Sequence, residues 1–499
     1  MHMSTVSPSI DLSPVRLSYV AALRGVKPRV PDTSFAYAQY APGNIGNLIC
    51  LAASNPEGCF YGILPDGACV EKAQKQTLER QVNNITFMEG SLTSGSSLNV
   101  SLPPLEYLVC EDIEASLSEA EREALYILAE KKLKPNGLLA FRYRAYANMD
   151  QALRFLVSEF APEMNVDQAK EFLQELKALG PIYFADKPLI LAALDRAIAS
   201  GIPDEFFLSL DQSPAAESGT FDAMAGLLPH GFAFAGDADV GANYMELVTP
   251  ATAHPILENC REHLLYEPIK DFAMQRLERN DIWCRLPADQ SDNEAVLFGG
   301  FTYGITTPRD QVPLEITAHG KTIDLRQKPF VKLIELMTTL PMSIGDFLQH
   351  PSGQGVSSAD AVTAIQILVA TGVARPMRSG YPGLVEAELT RPKWAAGYNR
   401  YLDKNPITSN KVQLASSVVG NPVTVSARDA LVMQAISRAG MEESVAALLP
   451  ELYRVSQDPA LAAQIMDIAE PTPEMAHNMI QDVVGKSIVR WYAYGLLAA

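Results

Sequence analysis

The chain has 499 residues, a formal net charge of −18, 47% hydrophobic and 20% charged residues. That length exceeds what one hydrophobic core organises and points to about three domains. The acidity argues against a nucleic-acid partner or an anionic membrane surface, both of which need clustered Lys and Arg; basic runs are as short as EKKLK at 130–134.

Residues 12–25, LSPVRLSYVAALRG, read as a helix, followed by the proline-punctuated linker KPRVPDTS; together with the N-terminus they make a 1–34 segment. From Phe35 to about Asp150 strand and helix signals alternate: FAYAQY, NIGNLICLAAS, CFYGIL, ACVEKAQKQTLERQ, NITFMEG, LEYLVCED, SEAEREALYILAEKKL with its Ser118 cap, and LLAFRYRAY. Such alternation predicts an α/β domain over 35–150 with a doubly wound, mostly parallel, Rossmann-like sheet, expected to hold seven strands. Residues 151–290 read as helical, with amphipathic stretches such as DQAKEFLQELKALG. Strand signals and then three helices over 291–390 suit a winged-helix-like domain, and 391–499 read as a C-terminal helical segment. The helix SADAVTAIQILVATG carries no Lys or Arg, so a packing role is expected of it rather than DNA reading.

The six cysteines form no C-x-x-C pair and the seven histidines no H-E-x-x-H spacing, which predicts free thiols in a reducing cytoplasm and no metal site. No apolar run reaches the roughly 18 residues that span a bilayer, and MHMSTVSPSIDLSPVR lacks the basic and apolar regions of a secretory signal.

Several stretches carry a resemblance: LAASNPEGCFYG, LPPLEYLV, AEKKLKPNGLLAF, GTFDAMAGLLPHGFAFAGDADVGANY with EPIKDFAMQRLERNDIWCR, VPLEITAHGKTIDL and LASSVVGNPVTVSARDALVMQAI. They resemble class I S-adenosylmethionine-dependent methyltransferases with an attached methyltransferase regulatory domain, the bacterial family that includes rickettsial protein-lysine methyltransferases. The resemblance implies S-adenosylmethionine as cofactor and candidate contacts from Gly43, Asn44, Gly46, Asp66, Glu89 and Ser91. It also implies a substrate rim with the candidates Glu111, Asp112 and Tyr143.

Three departures put that chemistry in doubt. The family's E-L-G-C-G-x-G is here Gln39, Tyr40, Ala41, Pro42, Gly43, Asn44 and Ile45. A Cβ at a glycine position collides with a closely approaching cofactor, and Pro42 removes an N–H donor. The acid expected at the end of the second strand, which would accept from the ribose hydroxyls, is Leu64, with Asp66 two residues on. The rim motif is rewritten as Glu111, Asp112, Ile113 and Glu114, whose three acids are expected to pair with Arg142 and Arg144 as a polar plug. Simpler readings stand beside these: Gly43 and Gly46 as a tight turn, Asp66 as a turn residue in LPDG, Glu89 and Ser91 as a solvated strand end, and Tyr143 as a half-buried strand residue. Three functions follow. One is an inactive or impaired methyltransferase that serves as a regulatory or structural partner of another protein (an active paralogue or the protein it modifies), as a homo- or hetero-dimer. The second is an active enzyme with a rearranged cofactor loop, and the third a binding module for a cationic small molecule.

Overall fold

The computed structural model describes residues 11–29, 33–92, 101–110, 118–160, 165–200, 219–318, 321–378, 392–465 and 471–498. Five parallel strands, β1 (Phe35–Tyr40), β2 (Gly58–Leu64), β3 (Ile85–Glu89), β4 (Leu105–Cys110) and β5 (Leu133–Arg144), form most of a seven-stranded sheet. Its order is β3-β2-β1-β4-β5-β7-β6, where β6 is Phe232–Asp237 and β7 is Glu278–Arg285. Strand β7 runs antiparallel to both its neighbours. FAYAQY and LEYLVC are nearly continuous apolar runs because helices cover both faces of these central strands. The order reverses between β1 and β4, so the ligand crevice of such a sheet lies at the carboxyl ends beside β1.

The Rossmann-like expectation holds, but the seven strands do not all lie within 35–150. Strands β6 and β7 come from the range 151–290 expected to be helical. Their sequences, FAFAGD and ERNDIWCR, hid this: β7 opens on Glu278, Arg279, Asn280 and Asp281, with no apolar alternation. What makes β7 a strand is its pairing with β5, from Leu138↔Cys284 to Arg144↔Glu278. The helices α5 (Met149–Phe160), α6 (Val166–Leu179), α7 (Pro181–Ala185) and α8 (Pro188–Ser200) are therefore inserted between two strands of one sheet. Helix α6 buries Ala169, Phe172, Leu173, Leu176 and Leu179, a helical stripe, and begins with an Asn165–Gln168 capping box.

One sheet face carries α1 (Pro14–Leu23), α2 (Ile45–Ala53) and α3 (Gly67–Glu79); the other carries α4 (Glu119–Lys132) and α9 (Gly219–Leu227). Helix α1 lies on the sheet, with Ser18 Oγ 2.8 Å from the Tyr107 hydroxyl. The Tyr19 ring meets Phe298, Phe301 and Tyr303 edge-on at 5.8, 5.4 and 6.1 Å. One apolar core thus continues from the sheet into residues 297–374. There, three short strands (302–304, 342–343 and 375–377) pair into a small sheet, with Ser358–Ala370 as the longest helix. That helix buries Ala361, Val362, Ala364, Ile365, Leu368 and Val369, which gives it a packing role. Residues 392–498 add a separate core around Ala427–Ser456, kinked at Gly440, and Pro473–Ala493.

Candidate functional site

The carboxyl ends of β1, β2 and β3 bring together the cofactor-site candidates. Asn44 is the N-cap of α2, its side chain accepting from the Asn47 amide at 3.2 Å. Gly43 is exposed beside it, and Gly46 sits in the first turn of α2. A Cβ at Gly46 would stand 3.1 Å from Asn44 Oδ1 and 3.2 Å from Arg80 Nη1. Asp66 caps α3, accepting from the Cys69 amide at 2.8 Å; that backbone hydrogen bond holds its carboxyl below the ordinary value. Glu89 ends β3 in register with Leu64, and Ser91 follows it; both are exposed.

The same ends are partly filled by the chain's own residues. Leu64 is only 3% exposed and belongs to the apolar core that contains Ala73 and Phe87. Ile45 packs half-buried against that core. The Tyr40 hydroxyl accepts from the Leu92 amide at 3.2 Å, linking β1 to the loop after β3 across the end of β2. Position 64 thus offers a ribose no acceptor, and Asp66 is committed to its helix. Glu89 remains as an exposed acid beside the α3 N-terminus: a Cβ at Gly67 would lie 3.5 Å from its Oε2. Of the acids at these strand ends, Asp66 is engaged as a helix cap and Glu89 is exposed.

Ala41 adopts φ +45°, at a position where the sequence resemblance implies glycine. A non-glycine residue in the left-handed region costs about 1–2 kcal/mol, offset by about 0.5–1 kcal/mol of glycine's extra freedom in the unfolded chain. Ala41→Gly is therefore expected to leave stability unchanged or raise it by up to about 1.5 kcal/mol. A fall in the melting temperature would show that packing of the methyl group outweighs the backbone strain.

The rim candidates divide. Glu111 and Asp112, like Glu114, lie outside the described residues, and with them the expected plug; among the described residues Arg142 Nη2 pairs with Glu278 Oε2 on β7. Tyr143 lines a cavity of about 280 Å3 at the carboxyl end of β5, between α4 and α9. Its hydroxyl donates to Asp281 Oδ2 at 2.5 Å, so Tyr143 is more than a half-buried strand residue.

Asp281 opens onto a buried ion network that sequence reading missed. Fully buried Arg279 donates from Nε to Asp281 (2.9 Å), from Nη1 to Asp271 (2.8 Å) and from Nη2 to Glu267 (2.9 Å). Lys270 Nζ reaches Glu267 at 2.7 Å, and Arg276 pairs with Asp237. Thr220 Oγ1, at the start of α9, donates to Asp271 at 2.9 Å. Burial pushes the Asp281 carboxyl up to about 6 against the pull of Arg279, and raises Asp271 also. Burial acts the same way on Glu267, but Lys270, Arg279 and Arg24 overcome it and hold that carboxyl at about 2. Burial, then Asp281, drives the Tyr143 hydroxyl well above its ordinary value. The available signal was the interleaving of charges with apolar residues in EPIKDFAM and ERNDIWC. No His/Cys/Asp/Glu cluster able to hold a metal occurs among the described residues.

Residues 219–285, which contain α9, β6, the ion network and β7, match the family described as a predicted methyltransferase regulatory domain. An uncharacterized protein of Synechocystis sp. is 20% identical over 447 residues, covering 86% of this chain and 85% of its own. The fold is similar to that of PKMT2 from Rickettsia typhi in complex with AdoHcy, with a TM-score of 0.64, 13% identity and 98% of each chain covered. PKMT2 without that ligand gives 0.60 at 14% identity, covering 96% of this chain and 98% of that one. The resemblance read from the sequence holds at the level of the fold: the chain has a class I methyltransferase-like fold similar to that of PKMT2, and its residues 219–285 match the regulatory-domain family.

Proposed function

We propose that this methyltransferase-like chain is catalytically inactive or impaired and acts as a regulatory or structural partner of another protein. That partner would be an active paralogue or the protein such a paralogue modifies, bound as a homo- or hetero-dimer. One observation carries the reading: the residue at the end of β2 is a leucine buried in the core rather than an acid facing the crevice. Unpaired ribose hydroxyls would each cost roughly 1–3 kcal/mol if buried. A fold persists while its function moves, so the altered site outweighs the retained scaffold. The six cysteines are free, which supports a cytoplasmic location as part of this reading; among the described residues no helix is long and apolar enough to cross a membrane.

Calorimetric titration with S-adenosylmethionine and S-adenosylhomocysteine tests this. The expected result is no binding tighter than about 10 μM, roughly −7 kcal/mol. Tighter binding would overturn the proposal and favour an active S-adenosylmethionine-dependent protein-lysine methyltransferase. The exposed Glu89 carboxylate supports that second reading as a substitute ribose acceptor, and Glu89→Ala would then weaken the binding by about tenfold or more.

A further inference from the structure

The cavity at the end of β5 has walls of one kind and a mouth of another. Tyr126 and Phe141, each 6% exposed, are fixed in the apolar core between the sheet, α4 and α9, and Tyr143 lies beside them. The Phe141 and Tyr143 rings are 5.2 Å apart, and Phe141 meets Tyr126 at 6.4 Å. Around these rings the lining carries Arg122, from α4, and Arg144, the last residue of β5, with Asp222 of α9 as its acid. Among the described residues neither arginine forms an ion pair. In a chain of net charge −18, the described lining of this opening holds two guanidinium groups against one carboxylate.

Aromatic faces alone would also suit a cation. Two arginines beside them repel one and attract an anion, and a guanidinium fork matches a carboxylate in shape as well as charge. The volume, about 280 Å3, lies at the lower end of small-molecule pockets. The geometry points to a binding site for a small carboxylate with a single-ring apolar body, its acid group on Arg122 and Arg144 and its ring against Tyr126, Phe141 and Tyr143. This site is separate from the crevice over β1–β3 and goes beyond the partner-protein reading. Its occupant would touch Tyr143, whose hydroxyl leads through Asp281 to Arg279 and the segment matched as regulatory.

The test uses the full chain and three probes of similar size: 3-phenylpropionate, 3-phenylpropanamide and 3-phenylpropylammonium, followed by saturation-transfer NMR and calorimetry. The acid is expected to bind with a dissociation constant of about 1–5 mM, usual for a fragment of that size, and the amide and ammonium at least about tenfold more weakly. Arg122→Gln with Arg144→Gln is expected to weaken the acid about tenfold or more, the order of effect of losing a charge-assisted pair. Both side chains are partly or fully exposed, so the melting curve should not change. Equal binding of the amide or the ammonium overturns the inference, as does undiminished binding by the double variant or no binding of the acid at about 20 mM. None of these readouts involves S-adenosylmethionine, so failure here is distinguishable from failure of the proposed function.

Discussion

Arg279→Met is expected to lower the free energy of unfolding by about 3–5 kcal/mol, the cost of removing one partner from a buried ion pair. Arg279 is fully buried and serves three carboxylates through three separate nitrogens. Its loss leaves Asp271 and Asp281 without their closest cation, while Glu267 keeps Lys270. Methionine fills much of the volume, so the loss would be electrostatic rather than a cavity effect. Against a typical total of about 5–15 kcal/mol, such a change removes a large share of stability. Arg279→Lys should recover little, since one ammonium cannot reproduce a planar fork aimed at three acids. Urea denaturation followed by circular dichroism checks this. A methionine variant within about 1 kcal/mol of the parent would show that the network does not hold β7 and the adjoining helix Tyr266–Met274 together.

Leu64→Asp, the change that restores the acid expected at the end of β2, should cost about 3 kcal/mol or more. Removing a buried leucine costs about 2–5 kcal/mol, and the new carboxylate would enter the same apolar core. Helix α3 offers it little, because Asp66 already accepts from the Cys69 amide. The sequence alone suggests that Asp at 64 with Gly at 41 and 45 improves S-adenosylmethionine binding. The structure adds that the acid must first leave the core to meet a ribose. Melting curves and titration of the Leu64→Asp chain decide between these. Parent-like stability together with binding below about 10 μM would mean that position 64 faces the crevice.

Much of the first sheet was legible because its signals are local. Apolar runs mark β1 and β4, the Ser118 cap opens α4 through a capping box with Glu121, and α6 shows its stripe. Capping and periodicity act over a few residues, so they survive in a one-dimensional reading. The altered residues Ala41, Ile45 and Leu64 were legible for the same reason, because each occupies a fixed place in a local motif. Tertiary structure alone decided that β6 and β7 complete the sheet, since Leu138 meets Cys284 only after a helical insertion has folded out of the way. It also decided that Leu64 points into the core and that Tyr143 joins Asp281. Strand pairing across more than a hundred residues and charge pairing without water both depend on chain closure, and no local pattern encodes the partner.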